Sequence, residues 1–427
     1  RGRPTRTTRT PGWCRAQARR IGGSSSQGRR KWLREPYDAI FFGGFCLHHL
    51  LRQSQTGYSW WFSGRSTGNA WSSIYGRYKI FLSSIANALS CLAQKLRLPI
   101  VLVGCPTLDG PTLLMDPPKH DKQRKEVSPV VGPRNLAKME GTIRKRAGDI
   151  LDSLPIGTNF NWADKVSIEL TTQMLATLFD FPFEDRRKLT RWSDVATANE
   201  DSGIIESEEQ RRAELLECLE YFMGLWNERV NAPPRNDLVS MLAHGESTKN
   251  MDPAEYLGNL ILLIVGGNDT TRNSISGGVK FLNENPLEYK KLRNNPRLIP
   301  NMVSEIIRYQ TPLAYMRRTA VKDAVLGGQK IKAGDKVLMW YVSGNRDSTA
   351  ISNADKFLID RRDARKHLSF GFGIHRCMGN RLAEMQLRVL WEEILKRFEK
   401  IEMSGPEVMV NSSFVKGYSY LPVTIKK

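Results

Sequence analysis

FGFGIHRCMGNRLA, residues 370–383, decides how this chain is read. It places one cysteine, Cys377, in a glycine-rich loop that runs into a helical pattern. A buried thiolate that ligates iron needs a sulfur, a backbone able to approach it, and positive potential to hold its charge. Gly371 and Gly373 permit the tight turn that lets backbone N–H groups face the sulfur. The following helix is expected to begin near Gly379. Cys377 then lies just ahead of a helix N-terminus, where the dipole favours an anion. The plain alternative is an inert buried cysteine, the usual fate of a lone one.

Working upstream, DPAEYLGNLILLIVGGNDTTRNSISGGVKFL reads as one long helix. Asp252 caps it, Pro253 takes its first position, and Glu255 completes a capping box. It is apolar nearly all round, so it should be buried. Gly266 and Gly267 each weaken it by about 1 kcal/mol relative to alanine. Asp269 and Thr270 put an acid beside an alcohol in that apolar wall, which is costly unless used. By itself a kinked core helix explains this patch as well. Glu305 and Arg308, three apart in SEIIR, share a helix face; most such pairs are solvated. Asp116 is read as an N-cap with Pro117 at the first helical position. Helices are expected over Pro300–Tyr309 and Leu382–Phe398, and short strands over Ala320–Met339. From residue 113 onward the pattern predicts one mainly helical domain with a minor β part.

The chain has 427 residues and 40% apolar content, enough for a sizeable core. Its best candidates for an uninterrupted apolar span, Leu257–Val265 and Leu98–Cys105, are far too short to cross a membrane. No cleavable leader opens the chain, so the cytoplasm is the default location. It starts with Arg1, which reads as a fragment or a conceptual translation. The six cysteines include no C-x-x-C pair, which removes support for a zinc ribbon, a redox dithiol or c-type heme attachment.

A net charge of +20 raises the question of nucleic acid. Residues 1–112 hold 17 Lys and Arg against 3 Asp and Glu, whereas residues 113–427 hold 47 against 41. The excess belongs to one segment, so a nucleic-acid-binding face is not expected. Residues 1–112 carry four of the six cysteines and five of the ten tryptophans without a helical or strand period. They stay unassigned and are expected to be largely a misread frame. A genuine basic disordered tail is the alternative.

The loop at 370–383 resembles the heme-binding loop of cytochromes P450, F-G-x-G-x-H-x-C-x-G-x-x-L-A, with every position filled. Eight specified positions would match by chance in roughly one chain in a hundred million at average composition, which decides against an inert cysteine. The resemblance covers residues 113–427 and implies the cytochrome P450 fold, a single heme domain. It implies heme b, with Cys377 as proximal ligand, a thiolate whose electron donation favours O–O cleavage. Phe370, Gly371, His375 and Gly379 then border the heme. Gly266 opens a groove on its other side, where Asp269 and Thr270 deliver protons as dioxygen is activated. His120 and Arg124 in DPPKHDKQRK, Arg318 and His375 match propionate-contacting positions. Glu305 and Arg308 match a structural E-x-x-R pair whose downstream partners would be Asn345, Arg346, Asp347, Phe357 and Arg361 or Arg362. Substrate would lie against Val265, Gly266, Leu313, Ala314 and Phe414.

The strings MDPPKHD, SIELTTQMLATLFDFP, LLIVGGNDTTRNS, TPLAYMRRTA, MWYVSGNRD and FVKGY look closest to the soluble bacterial branch that hydroxylates medium-chain alkanes and fatty acids at the terminal carbon. That branch draws electrons from NAD(P)H through a ferredoxin reductase and a ferredoxin. Rival readings are a peroxide-driven hydroxylase, which would not need Asp269 and Thr270, a non-catalytic heme sensor, and a basic nucleic-acid-binding protein.

Overall fold

The protein is described from a computed structural model, which covers residues 115–199 and 202–426. The expectations for residues 1–112 lie outside the described residues. Among the described residues the α-helices longer than four residues are α1 (Lys119–Val127), α2 (Pro133–Asp152), α3 (Glu169–Phe179), α4 (Arg187–Thr197), α5 (Glu208–Val230) and α6 (Leu238–His244). They continue with α7 (Pro253–Glu284), α8 (Pro286–Asn294), α9 (Ile299–Gln310) and α10 (Asn380–Arg397). The strands are short: β1 (Phe160–Asn161), β2 (Tyr315–Thr319), β3 (Ala324–Leu326), β4 (Gln329–Ile331), β5 (Lys336–Trp340), β6 (Lys400–Met403), β7 (Val408–Met409), β8 (Tyr418–Tyr420) and β9 (Pro422–Lys426). They form antiparallel sheets in the order β1-β9-β6, with separate pairs β2-β5, β3-β4 and β7-β8. The expected mainly helical architecture with a minor sheet is what the chain adopts.

Helix α7 is the axis of the fold and runs where its sequence predicts. The Asp252 carboxylate accepts the Glu255 N–H at 2.8 Å, and Pro253 occupies the first turn. Glu255 does not close a capping box. Its carboxylate instead accepts from Gln123 at 2.5 Å and pairs with Lys119 at 2.6 Å. Leu260, Ile264, Ile275, Val279 and Leu282 are buried along α7. It crosses α9 and α10 closely at Gly278, where a Cβ would stand 2.9 Å from Ile306 and 3.3 Å from Trp391. Leu262 departs from the all-round burial expected, being 47% exposed, because it faces a cavity.

Helix α1 begins at Lys119, later than expected, and Asp116 does not cap it with its side chain. The physical reason is the second proline: a residue ahead of a proline is pushed out of the helical region, so Pro117 cannot take the first position. Asp116 contributes its carbonyl instead, accepting the His120 N–H at 3.1 Å. Helix α10 starts at Asn380 with Gly379 as its cap, and α9 spans the expected segment with one residue more at each end.

Candidate active site

The loop before α10 is closed by its own backbone. The Cys377 N–H donates to Phe370 O at 2.8 Å, Gly371 N–H to Leu368 O at 2.7 Å, and Arg376 N–H to Gly373 O at 3.0 Å. Gly371 (φ 65°) and Gly373 (φ 75°) lie in the left-handed region, which is why glycine stands at both. A Cβ on Gly371 would also approach the Tyr341 hydroxyl to 3.2 Å. The turn aims the N–H groups of Gly379 and Asn380 at the Cys377 sulfur. Burial pushes the thiol up from its ordinary value; those two N–H groups, Arg124 and Arg376 pull it back toward the thiolate.

Cys377 opens into a cavity of about 400 Å³. Its wall brings together residues singled out from the sequence: Val265, Gly266 and Thr270 from α7, His120 and Arg124 from α1, Arg318 from β2, and Leu313 and Phe414 from two loops. Phe370, Gly371, His375 and Gly379 join from the cysteine loop. A Cβ added at Gly266 or at Gly379 would meet nothing within 4 Å, so both leave open room beside the sulfur's cavity. Ala314 lies outside this wall and is buried behind it. Its N–H donates to Phe414 O at 2.8 Å beside the bridge Leu313↔Val415. Neighbours on an extended chain point to opposite sides, so Leu313 faces the cavity and Ala314 does not.

The cations of the wall are arranged for an anion. Arg124 donates to Arg376 O at 2.6 Å and Arg318 to Arg317 O at 2.9 Å. Among the described residues neither guanidinium has a carboxylate at salt-bridge distance, and burial lowers both from their ordinary value. The His120 ring lies 4.4 Å from that of His375. A sulfur held by backbone N–H groups, two glycines without side chains, and two arginines, Arg318 buried and Arg124 half-buried, with no carboxylate partner among the described residues fit heme, a flat iron ligand carrying two carboxylates.

Asp269 and Thr270 are neighbours in sequence that point apart. Thr270 lines the cavity, and its hydroxyl donates to Gly266 O at 3.0 Å. Asp269 is fully buried and is not part of the wall. Its Oδ1 pairs with Arg272 at 2.8 Å and accepts from Asn268 at 3.4 Å, while its Oδ2 accepts from the Thr197 hydroxyl at 3.3 Å. Arg272 also holds Asp194 on α4, at 2.5 Å. Burial pushes the Asp269 carboxyl up; Arg272 opposes that shift and Asp194 adds to it.

Glu305 and Arg308 are both fully buried, not solvated, and meet through two bonds of 2.8 Å each. Arg361, rather than Arg362, is their third member and reaches Glu305 at 2.9 Å. Arg308 donates to the carbonyls of Asn345, Ala354 and Lys356, and Leu358 N–H donates to Glu305. Asn345 carries the network to the cysteine loop, accepting from Leu368 N–H at 2.7 Å and donating to Ser369 at 2.9 Å.

Three participants went unnoticed in the sequence. Arg272 was visible as a basic residue three after Asp269, a spacing that shares a helix face. Asp194 and Thr197 lie more than seventy positions before their partners and carry no local signal.

The cytochrome P450 family model matches residues 158–418. The solved structure of CYP153D17 from Sphingomonas sp. PAMC 26605 is 52% identical, with a TM-score of 0.70, covering 73% of this chain and 78% of that one. Linalool 8-monooxygenase of Pseudomonas putida is 34% identical over 349 residues, 81% of this chain and 85% of its own. A methyl-branched lipid omega-hydroxylase of Mycobacterium bovis is 32% identical over 323 residues, 74% of each chain.

Proposed function

The chain belongs to the cytochrome P450 family of monooxygenases, and from that premise we propose that it hydroxylates medium-chain alkanes or fatty acids at the terminal carbon. The observation that carries this reading is a single cavity shared by Cys377, Thr270 and an apolar wall that includes Val265, Leu313 and Phe414. The apolar part of the wall holds a hydrocarbon chain by burial.

Cys377 would ligate the iron of heme b, and His120, Arg124, Arg318 and His375 would hold its propionates. Heme so bound supplies dioxygen activation and the insertion of one oxygen atom into a C–H bond. Family membership implies redox partners; we assign the electrons to NAD(P)H, delivered through a ferredoxin reductase and a ferredoxin. Asp269 and Thr270 handle the protons. Glu305 and Arg308 fix the loop that presents the sulfur. Gly266 and Val265 leave room for the reacting carbon.

Terminal attack is supported by the resemblance of sequence strings and by the likeness to an omega-hydroxylase. Chemistry alone does not favour it, because a primary C–H bond is the strongest in the chain, so the wall must present only the tip. Among the described residues no helix is long and apolar enough to cross a membrane, and we place the protein in the cytoplasm. The test is a product assay with redox partners over a series of n-alkanes and fatty acids. Primary alcohols are expected. A mixture dominated by subterminal alcohols would remove the terminal assignment and leave the family intact.

A further inference from the structure

Asp269 cannot deliver a proton to the cavity directly. It is fully buried, it lies outside the wall, and it makes no hydrogen bond to Thr270. Its two oxygens are not equivalent. Oδ1 takes the N–H groups of Arg272 and Asn268, which disfavours a proton there. Oδ2 is the oxygen left to carry one, and the Thr197 hydroxyl lies on it at 3.3 Å. Thr197 is half-buried at the last position of α4 and itself lines the cavity. Ser193, one turn earlier, stands beside the same carboxyl but behind the wall. Thr197 is thus the hydroxyl that touches both the buried acid and the open space.

We propose that Thr197 is the positioning residue through which Asp269 exchanges protons with the cavity. This rests on the monooxygenase reading, in which the acid supplies protons there. In the ionised state the Thr197 hydrogen is shared between Asp269 Oδ2 and Ser193 O, the latter at 3.0 Å. When Asp269 is protonated the bond reverses, and Oδ2–H donates to Thr197 Oγ1. Transfer then breaks the O–H bond at Oδ2 and forms one at Oγ1, while the original Thr197 hydrogen passes to a water in the cavity. Asp269 is left as a carboxylate, Thr197 unchanged, and the water carries the proton. The charged groups facing the carboxyl are Arg272 on its own helix and Asp194 on α4. Arg272 stays protonated throughout and sets the field without relaying. Thr270, with its hydroxyl turned to Gly266 O, would receive this proton only through that water.

The test compares Thr197→Val, which keeps the shape and deletes the hydroxyl, with Thr197→Ser, which keeps the hydroxyl. The first readout is the infrared carboxyl band of the resting protein titrated with pH, identified by its loss in Asp269→Asn. Deleting a hydrogen bond to the carboxylate should move the titration midpoint upward in Thr197→Val and leave Thr197→Ser near wild type. The second is alcohol formed against peroxide released, with the pH profile of alcohol formation. Thr197→Val should lose about a hundredfold in alcohol rate, the lower end for a placed proton donor, while retaining substrate affinity; Thr197→Ser should recover it. A Thr197→Val protein that superimposes on wild type in both readouts overturns the proposal. So does a band that moves while alcohol rate and pH profile do not. The infrared titration needs no substrate, so its outcome is separate from whether alkanes prove to be substrates.

Discussion

Two buried charge clusters flank the cavity, and their charges are unbalanced in opposite senses. Behind the cysteine loop, Glu305 faces two guanidiniums, Arg308 and Arg361. Along α7, Arg272 faces two carboxylates, Asp194 and Asp269. The first cluster discharges its excess into main chain: the two arginines donate to carbonyls of Asn345, Ala354, Lys356, Ser352 and Asn353. Those dipoles are fixed by the loop's fold, so the cluster has one arrangement. The second has only side chains around it, and burial, reinforced by Asp194 and opposed by Arg272, pushes the Asp269 carboxyl up from its ordinary value. The difference teaches that a buried ion cluster closed by backbone is built to hold a loop, whereas one closed by side chains is free to gain and lose a proton.

The largest effect should come from breaking the first cluster. Glu305→Ala leaves two guanidiniums buried without their carboxylate, and Arg308→Ala leaves five carbonyl and carboxylate contacts unmet. Each should cost about 3–5 kcal/mol of folding stability. Because Asn345 passes the network to Leu368 and Ser369, the cysteine loop should lose its shape and the purified protein its heme. Urea unfolding and the heme-to-protein absorbance ratio read both. Normal heme loading in both variants would mean that the loop stands without the cluster, and the comparison would fail.

Arg272→Met should be milder. The methionine fills similar space, and Asp269 can answer the loss of its counter-charge by taking up a proton, still bonded to Thr197 and Asn268. The cost is then that of an imperfectly satisfied polar group, about 1–3 kcal/mol. The same urea experiment at neutral pH decides it. A loss as large as that of Glu305→Ala would show that the second cluster cannot adjust.

Much of this was legible from short range. The loop at 370–383 announces its glycines, its cysteine and the helix that follows, because each acts within a few residues. The same holds for the Asp252 cap and for α9. What local pattern could not show was where side chains go when several partners compete. Glu255 sits where a capping box needs it, yet tertiary contact with Gln123 and Lys119 takes its carboxylate. Asp269 and Thr270 read as one unit because they adjoin, but successive helical residues are about 100° apart, so one meets the cavity and the other the core. Glu305 and Arg308 look like an ordinary surface pair, since nothing in SEIIR reveals the loop wrapped over it. Ala314 misleads for the related reason that on extended chain only alternate residues share a wall.

The subtlest test of the comparison is the pH dependence of stability that the second cluster alone should carry. Asp269 has a folded-state pKa raised above its ordinary value, with burial the leading cause, Arg272 opposing and Asp194 reinforcing. Such a group binds its proton more tightly folded than unfolded. Its stabilising contribution is therefore present at low pH, begins to fall as pH passes the unfolded value of about 3.9, and is lost once pH exceeds the folded one. Asp269→Asn has no such proton. The unfolding free energy of wild type minus that of Asp269→Asn should then decline with rising pH across this window, by at most about 1.4 kcal/mol per pH unit for one proton. Taking the difference cancels the carboxylates remote from this cluster, whose surroundings are the same in both proteins. Had Arg272 outweighed burial, the folded pKa would be depressed and the difference would rise with pH instead. A flat difference would mean that Asp269 holds the same charge folded and unfolded, and that the second cluster is as fixed as the first.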